Sequence, residues 1–198
     1  MAEQILINDG IYQVKENDLP CLITYAEKTG GSHFSISMVV DLFLQGQKIL
    51  FLTAYPMAKD NFFEQIKGHE KNINFITEEK QLETTSQAII LESGNEALFL
   101  QALKKLSDLD ERIILVKNIE VFSQAVFDAC LENKKIILSG NIDKCVAKKQ
   151  IASTKFNTIV AFSQAEIKLG INLPLLEKYT GYWQGQEISG QVKLKFNQ

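Results

Sequence analysis

The sequence is short of the residues that build most metal and hydrolytic sites. It has two histidines, His33 and His69, and three cysteines, Cys21, Cys130 and Cys145. Neither set has the spacing of a zinc site, so no metal centre is expected. Neither histidine has a motif partner, and no Ser-His-acid constellation can be assembled. An odd number of widely spaced cysteines makes no disulfide framework; they read as buried, reduced thiols of a reducing compartment. No window approaches the ~18 consecutive apolar residues that cross a bilayer, so no membrane insertion is expected. The opening MAEQILINDG carries acids and no basic region, unlike a signal peptide, and the cytoplasm is the expected location. Net charge is −3. Without a positive surplus there is no general attraction to nucleic acid or to an anionic membrane. Only three prolines occur, no tract rich in Pro, Gly or Ser breaks the chain, and no repeat is visible. Residues 1–198 therefore read as one domain.

What the sequence does have is a series of short apolar runs separated by amphipathic stretches. Strands are expected at 21–25, 48–53, 72–77, 88–91, 112–116, 134–139 and 158–162, and most are continuous apolar runs rather than alternating ones, as strands buried on both faces of a parallel sheet are. Helical spacing is found over 32–45, 57–66, 95–106 and 123–131, with Gly46 and Gly68 as stops and Pro56 in a first turn. Strands alternating with helices give an α/β fold. At the N-terminus, 5–7 and 11–14 read as a hairpin around Asn8-Asp9-Gly10. The tail differs: Val192, Leu194 and Phe196 alternate with Lys193 and Lys195, which predicts a β-hairpin over about 179–196 with one wet face.

The stretch LITYAEKTGGSHFSISMVVDLFLQGQKILFLTAY, residues 22–55, has the layout of a phosphate-binding loop between a strand and a helix. Such loops read G-x-x-x-x-G-K-[ST]; their backbone N–H groups and helix N-terminus hold phosphate, the lysine neutralises charge, and the hydroxyl holds magnesium. In this frame Gly31 matches the second glycine. Ala26 replaces the first, Ser32 the lysine, and His33 the hydroxyl residue. Lys28, Thr29, Gly30, Gly31, Ser32 and His33 are the residues that could still meet a nucleotide. Gly30-Gly31 fits an anion-binding nest and a plain tight turn equally well.

On IYQVKENDLPCLITYAEKTGGSHF, SISMVVDLFLQGQ and KILFLTAYP, the chain resembles the RecA/KaiC-like P-loop ATPases, more weakly as far as Phe162. The resemblance implies a RecA-like, mostly parallel sheet flanked by helices. It also implies a water-activating glutamate just past the second strand, where this chain has Thr53-Ala54-Tyr55-Pro56. A magnesium-supporting acid should end an apolar strand. RIILVKNIE puts Lys117 at that place, with Asn118 next and Glu120 beyond; the alternative frame AIILES puts Glu92 there. KKIILSGNID would then be the polar-ended sensor strand, ending in Ser139 and Asn141. Phosphoryl transfer rests on positioning and charge stabilisation, and each preorganised contact of that sort is worth ~3–4 kcal/mol. The resemblance thus points to a catalytically inactive domain without cofactor, acting through contacts with protein subunits in a homo- or hetero-oligomer. Two alternatives stand beside it. One is weak binding or hydrolysis of ATP with magnesium, using Lys28 and Glu92. The other is a recombinase-like nucleic-acid binder using Lys144, Lys148, Lys149, Lys155 and the hairpin aromatics. Tyr179, Tyr182 and Trp183 are the candidate interface residues.

Overall fold

The computed structural model describes residues 4–69, 72–78, 82, 86–106, 111–141, 144, 155–162, 176–177 and 179–195. Eleven strands form one continuous sheet: β1 (Gln4–Ile7), β2 (Gly10–Tyr12), β3 (Cys21–Thr24), β4 (Lys48–Thr53), β5 (Ile73–Ile76), β6 (Ala88–Glu92), β7 (Arg112–Lys117), β8 (Ile136–Gly140), β9 (Thr158–Ala161), β10 (Gly181–Gln184) and β11 (Ser189–Lys195). Their spatial order is β2-β1-β11-β10-β9-β3-β8-β7-β4-β6-β5. The seven strands from β9 to β5 in this order are all parallel. The four at the other end join by antiparallel pairing. The expected hairpin is therefore no appendage: β10 pairs with β9, and β11 pairs with β1, so the tail and the N-terminus extend the main sheet.

Among the described residues four α-helices cover the sheet: α1 (Gly31–Leu44), α2 (Pro56–Gln65), α3 (Glu96–Lys105) and α4 (Gln124–Leu131). Side chains alternate across each strand, and both faces are apolar. Ile49, Phe51, Ile113 and Leu115 join Phe34, Met38 and Phe62 of α1 and α2 in one core. Leu50, Leu52, Ile114 and Val116 join Phe99, Val126 and Phe127 of α3 and α4 in the other. This is why the strands read as unbroken apolar runs. α1 is buried almost all round, with Phe34, Ile36, Met38, Val39, Val40, Leu42 and Phe43 out of solvent. Its end is set by Gly46 at φ +89°, with Gly46 N–H donating to Phe43 O and Gln47 N–H to Leu42 O. Those two bonds are a Schellman cap, and glycine relieves the left-handed position.

Cys21 and Cys130 are buried thiols, not joined in a disulfide; Cys145 lies outside the described residues, as do Lys148, Lys149 and Phe196. Among the described residues no helix is long and apolar enough to cross a membrane.

Candidate phosphate-loop site

The carboxyl ends of β3, β8, β7 and β4 lie side by side, and chain leaving parallel strands there lines a crevice, the usual place for a ligand in an open α/β sheet. The loop after β3 is closed on itself, with Thr29 Oγ1 donating to Ala26 O at 2.8 Å. Two residues in it have positive φ, Lys28 at 62° and Gly30 at 93°. Gly30 is also the N-cap of α1, which has no side-chain cap. Gly31 is required for a different reason. A Cβ there would stand 2.5 Å from Tyr25 Cβ and 2.7 Å from Tyr25 Cγ, so only a glycine lets the tyrosine lie against the helix start.

A cavity of about 800 Å³ opens over this loop. Lys28, Thr29, Gly30, Ser32 and His33 line it, whereas Gly31 lies beneath Tyr25. Lys144 and Asn141 line it too, as do Tyr55, Glu120 and Val121. Where the resemblance asks for a glutamate past the second strand, Tyr55 stands, 48% exposed.

Lys117 is the group on which the site turns. Along β7, Ile113 and Leu115 point into the core beneath α1, and the two-residue period carries Lys117 to the same face. Its side chain is 1% exposed. The ammonium donates to Ser32 O at 2.7 Å, to Ser32 Oγ at 2.6 Å and to Ser35 Oγ at 3.3 Å. It also lies 5.9 Å from the Tyr25 ring centroid. Burial pulls its pKa down to about 7, against the opposing charge of Glu120. Where P-loop chemistry uses a carboxylate ending the strand, this chain has a cation tied to the first turn of α1.

Glu92 is elsewhere. It ends β6, which β4 separates from β7, and its carboxylate lies 3.5 Å from Lys59 Nζ. The other nearby acids are engaged. Glu120 Oε2 accepts from Asn141 N–H at 3.1 Å, and Glu27 pairs with Lys144 at 3.3 Å. Glu120 can sit so close to β8 because position 140 is glycine; a Cβ there would collide with its Oε2. Among the described residues no group of three or more His, Cys, Asp or Glu could hold a metal ion. The residues do not fit the magnesium that P-loop chemistry uses.

The hairpin aromatics do not form a platform. Trp183 is fully buried, packed at 5.2 Å between ring centroids against Tyr12, because β10 lies between β9 and β11 inside the sheet. It is a core residue of this chain. Tyr182 is half-buried, and only Tyr179 is well exposed, at 58%. Tyr179 Cδ1 lies 3.9 Å from where a Cβ of Gly30 would be, so it belongs to the rim of the loop. The Lys117–Ser32 contact is absent from the sequence reading. Its signal is a lysine that continues the apolar face Ile113, Leu115 of a buried strand.

No protein-family model matches the sequence, and no curated protein matches it. Among solved structures, the chain is similar to the genome packaging NTPase B204 of Sulfolobus turreted icosahedral virus 2, in complexes with AMP and with AMPPCP. The identities are 11% and 12%, the TM-score is 0.58 in both, and the match covers 93% of this chain and 100% of that one. It is also similar to the cytoplasmic domain of the Type VII secretion ATPase EccC of Thermomonospora curvata, at 9% identity and TM-score 0.60, over 99% of this chain and 26% of that one. At these identities the shared property is the fold: one large, mostly parallel sheet flanked by helices, the fold of P-loop NTPases.

Proposed function

We propose that this P-loop domain does not hydrolyse nucleotide and works as an assembly or regulatory subunit through protein contacts. One observation carries the reading: the Lys117 ammonium is bonded to Ser32 where the fold's chemistry needs a carboxylate and a metal. The missing loop lysine and the tyrosine at position 55 point the same way. The contact face we assign is the cavity rim. Of the five large hydrophobic residues that are well exposed among those described, Tyr55 and Val121 line the cavity and Tyr179 flanks Gly30. Exposed aromatics gathered in one patch are what interfaces use.

Phosphate release and light scattering, each with and without Mg-ATP, test this. The expected outcome is no release above buffer, and an oligomer or partner complex whose mass ignores Mg-ATP. Turnover, or a strictly monomeric chain that captures no partner from its host, overturns the reading. A second reading, a nucleotide-responsive subunit, is supported by the preserved cavity over the loop; an oligomer that forms only with nucleotide would favour it. The similarity to a genome packaging NTPase raises a motor acting on nucleic acid, but Trp183, one of the three aromatics such a binder was expected to use, is buried.

A further inference from the structure

The site does not fit magnesium, and the reason is itself informative. We propose that Lys117 is a built-in replacement for the metal, so that the cavity takes phosphoanions in their metal-free form. The inference rests on the reading of this site as one without hydrolysis.

A magnesium ion at a P-loop does two things. It draws the first-turn hydroxyl toward the strand that ends in an acid, and it places positive charge beside the phosphates. Lys117 fastens the same helix turn and brings positive charge to it with its own atoms, through Ser32 in the slot of the loop lysine rather than through His33 in the slot of the hydroxyl. It crosses from β7 to α1 and holds Ser32 by its hydroxyl and its carbonyl, and Ser35 by its hydroxyl. Ser35 Oγ in turn donates to Ser32 O at 2.8 Å, so the first turn is fastened by one closed set of bonds. Three acceptors use the three donors of an ammonium. The charge is fixed within one residue of the cavity wall, since Ser32 itself lines the cavity. It adds to the positive end of α1, a helix of 14 residues with no acid in its first turn. Lys28 and Lys144 stand on the same wall. A divalent cation brought in with a phosphate would meet this charge across Ser32, and among the described residues no cluster of three or more acids, histidines or cysteines stands ready to hold it. A bare phosphoanion would meet that positive charge, with the two carboxylates of the wall already engaged, Glu27 by Lys144 and Glu120 by Asn141 N–H.

The ligand class follows: pyrophosphate, or the phosphate tail of a nucleotide, without metal. The probe is pyrophosphate, with ATP as a second, titrated calorimetrically into the full chain at about pH 6, where Lys117 keeps its proton. One titration uses excess EDTA and the other excess magnesium. Binding is expected in EDTA and weaker in magnesium, because the metal sequesters the ligand in a form the site refuses. In EDTA, Lys117→Met is expected to bind about tenfold less tightly, the loss of one nearby positive charge behind the cavity wall. Binding that magnesium strengthens overturns the inference, and so does the absence of binding up to millimolar ligand in both buffers. The wild-type comparison stands even if the variant does not fold. ATP turnover in magnesium would sink the non-hydrolysing reading as well, whereas absence of binding sinks this inference alone.

Discussion

Lys117 puts a buried cation at the strand end where P-loop chemistry uses a carboxylate. A buried ammonium is costly, and here burial outweighs the help of nearby Glu120 and leaves the pKa at about 7 against 10.5 in an open chain. Below pH 7 both the folded and the unfolded chain hold the proton, and the whole cost of burial is felt. Between pH 7 and 10.5 the unfolded chain binds a proton that the folded chain does not, so stability rises with pH. Lys117→Met fills the same space without a titrating group. In urea unfolding, wild type should gain on this variant between pH 7 and 10, by on the order of 4 kcal/mol. A stability difference that is flat with pH would mean that the ammonium is solvated. The same residue limits any attempt to restore the loop. Ser32→Lys alone would set a second ammonium where Ser32 Oγ now meets the first, so a restored site needs Lys117→Asp too.

At the scale of elements, the turn from β3 into α1 is held by packing as much as by dihedral freedom. Gly31→Ala drives a methyl into Tyr25, and overpacking of this kind costs ~1–3 kcal/mol. Made in a Tyr25→Ala background, the same change should cost almost nothing. The double-mutant cycle in denaturant therefore isolates the contact; equal costs in both backgrounds would place the strain in the backbone instead. Most of the elements were legible because their signals are local. The apolar runs at 48–53 and 112–116 lie within β4 and β7, and the spacing from Phe34 to Phe43 with Gly46 behind it gave α1 to within a residue at each end. The two-sided core was legible too, since runs apolar on both faces need cover on both. Strand order was not. That β8 lies between β3 and β7 is a long-range fact, and it brings Lys117 to Ser32 across 85 positions of sequence. Without it, Lys117 reads as an absent acid and nothing more. The hairpin was legible, and β10 pairs with β11 as it requires; its place in the sheet was not. The alternation at Val192 and Leu194 was right, but the sequence gives no sign that β10 is closed in by β9, which is what buries Trp183.

At the scale of the molecule, the sheet has a sealed interior and one open face of interest, the carboxyl ends of the parallel strands around the loop. Arg112 closes the opposite end of β7: fully buried, its Nη1 donates to Ile49 O, Ser86 O and Gln87 O and ties three neighbouring segments together. The exposed aromatics gather at the loop. If the domain works by assembly, the rim is where a partner should lose affinity. Tyr55→Ala and Tyr179→Ala remove large exposed side chains from that rim. Each should leave unfolding within ~0.5 kcal/mol of wild type, as surface changes do. Each should also weaken the oligomer or partner complex by about tenfold or more, the effect of losing an aromatic anchor. Trp183→Ala is the contrasting case. It empties a packed core and should cost ~3–5 kcal/mol, while any complex that forms at low temperature keeps its affinity. Light scattering over a concentration series, paired with denaturant unfolding of the same samples, separates the two effects. Rim variants that assemble like wild type would move the contact face away from the loop. The outer edge of β2, which no strand among the described residues pairs and where Ile11 is exposed, would then be the surface to test next.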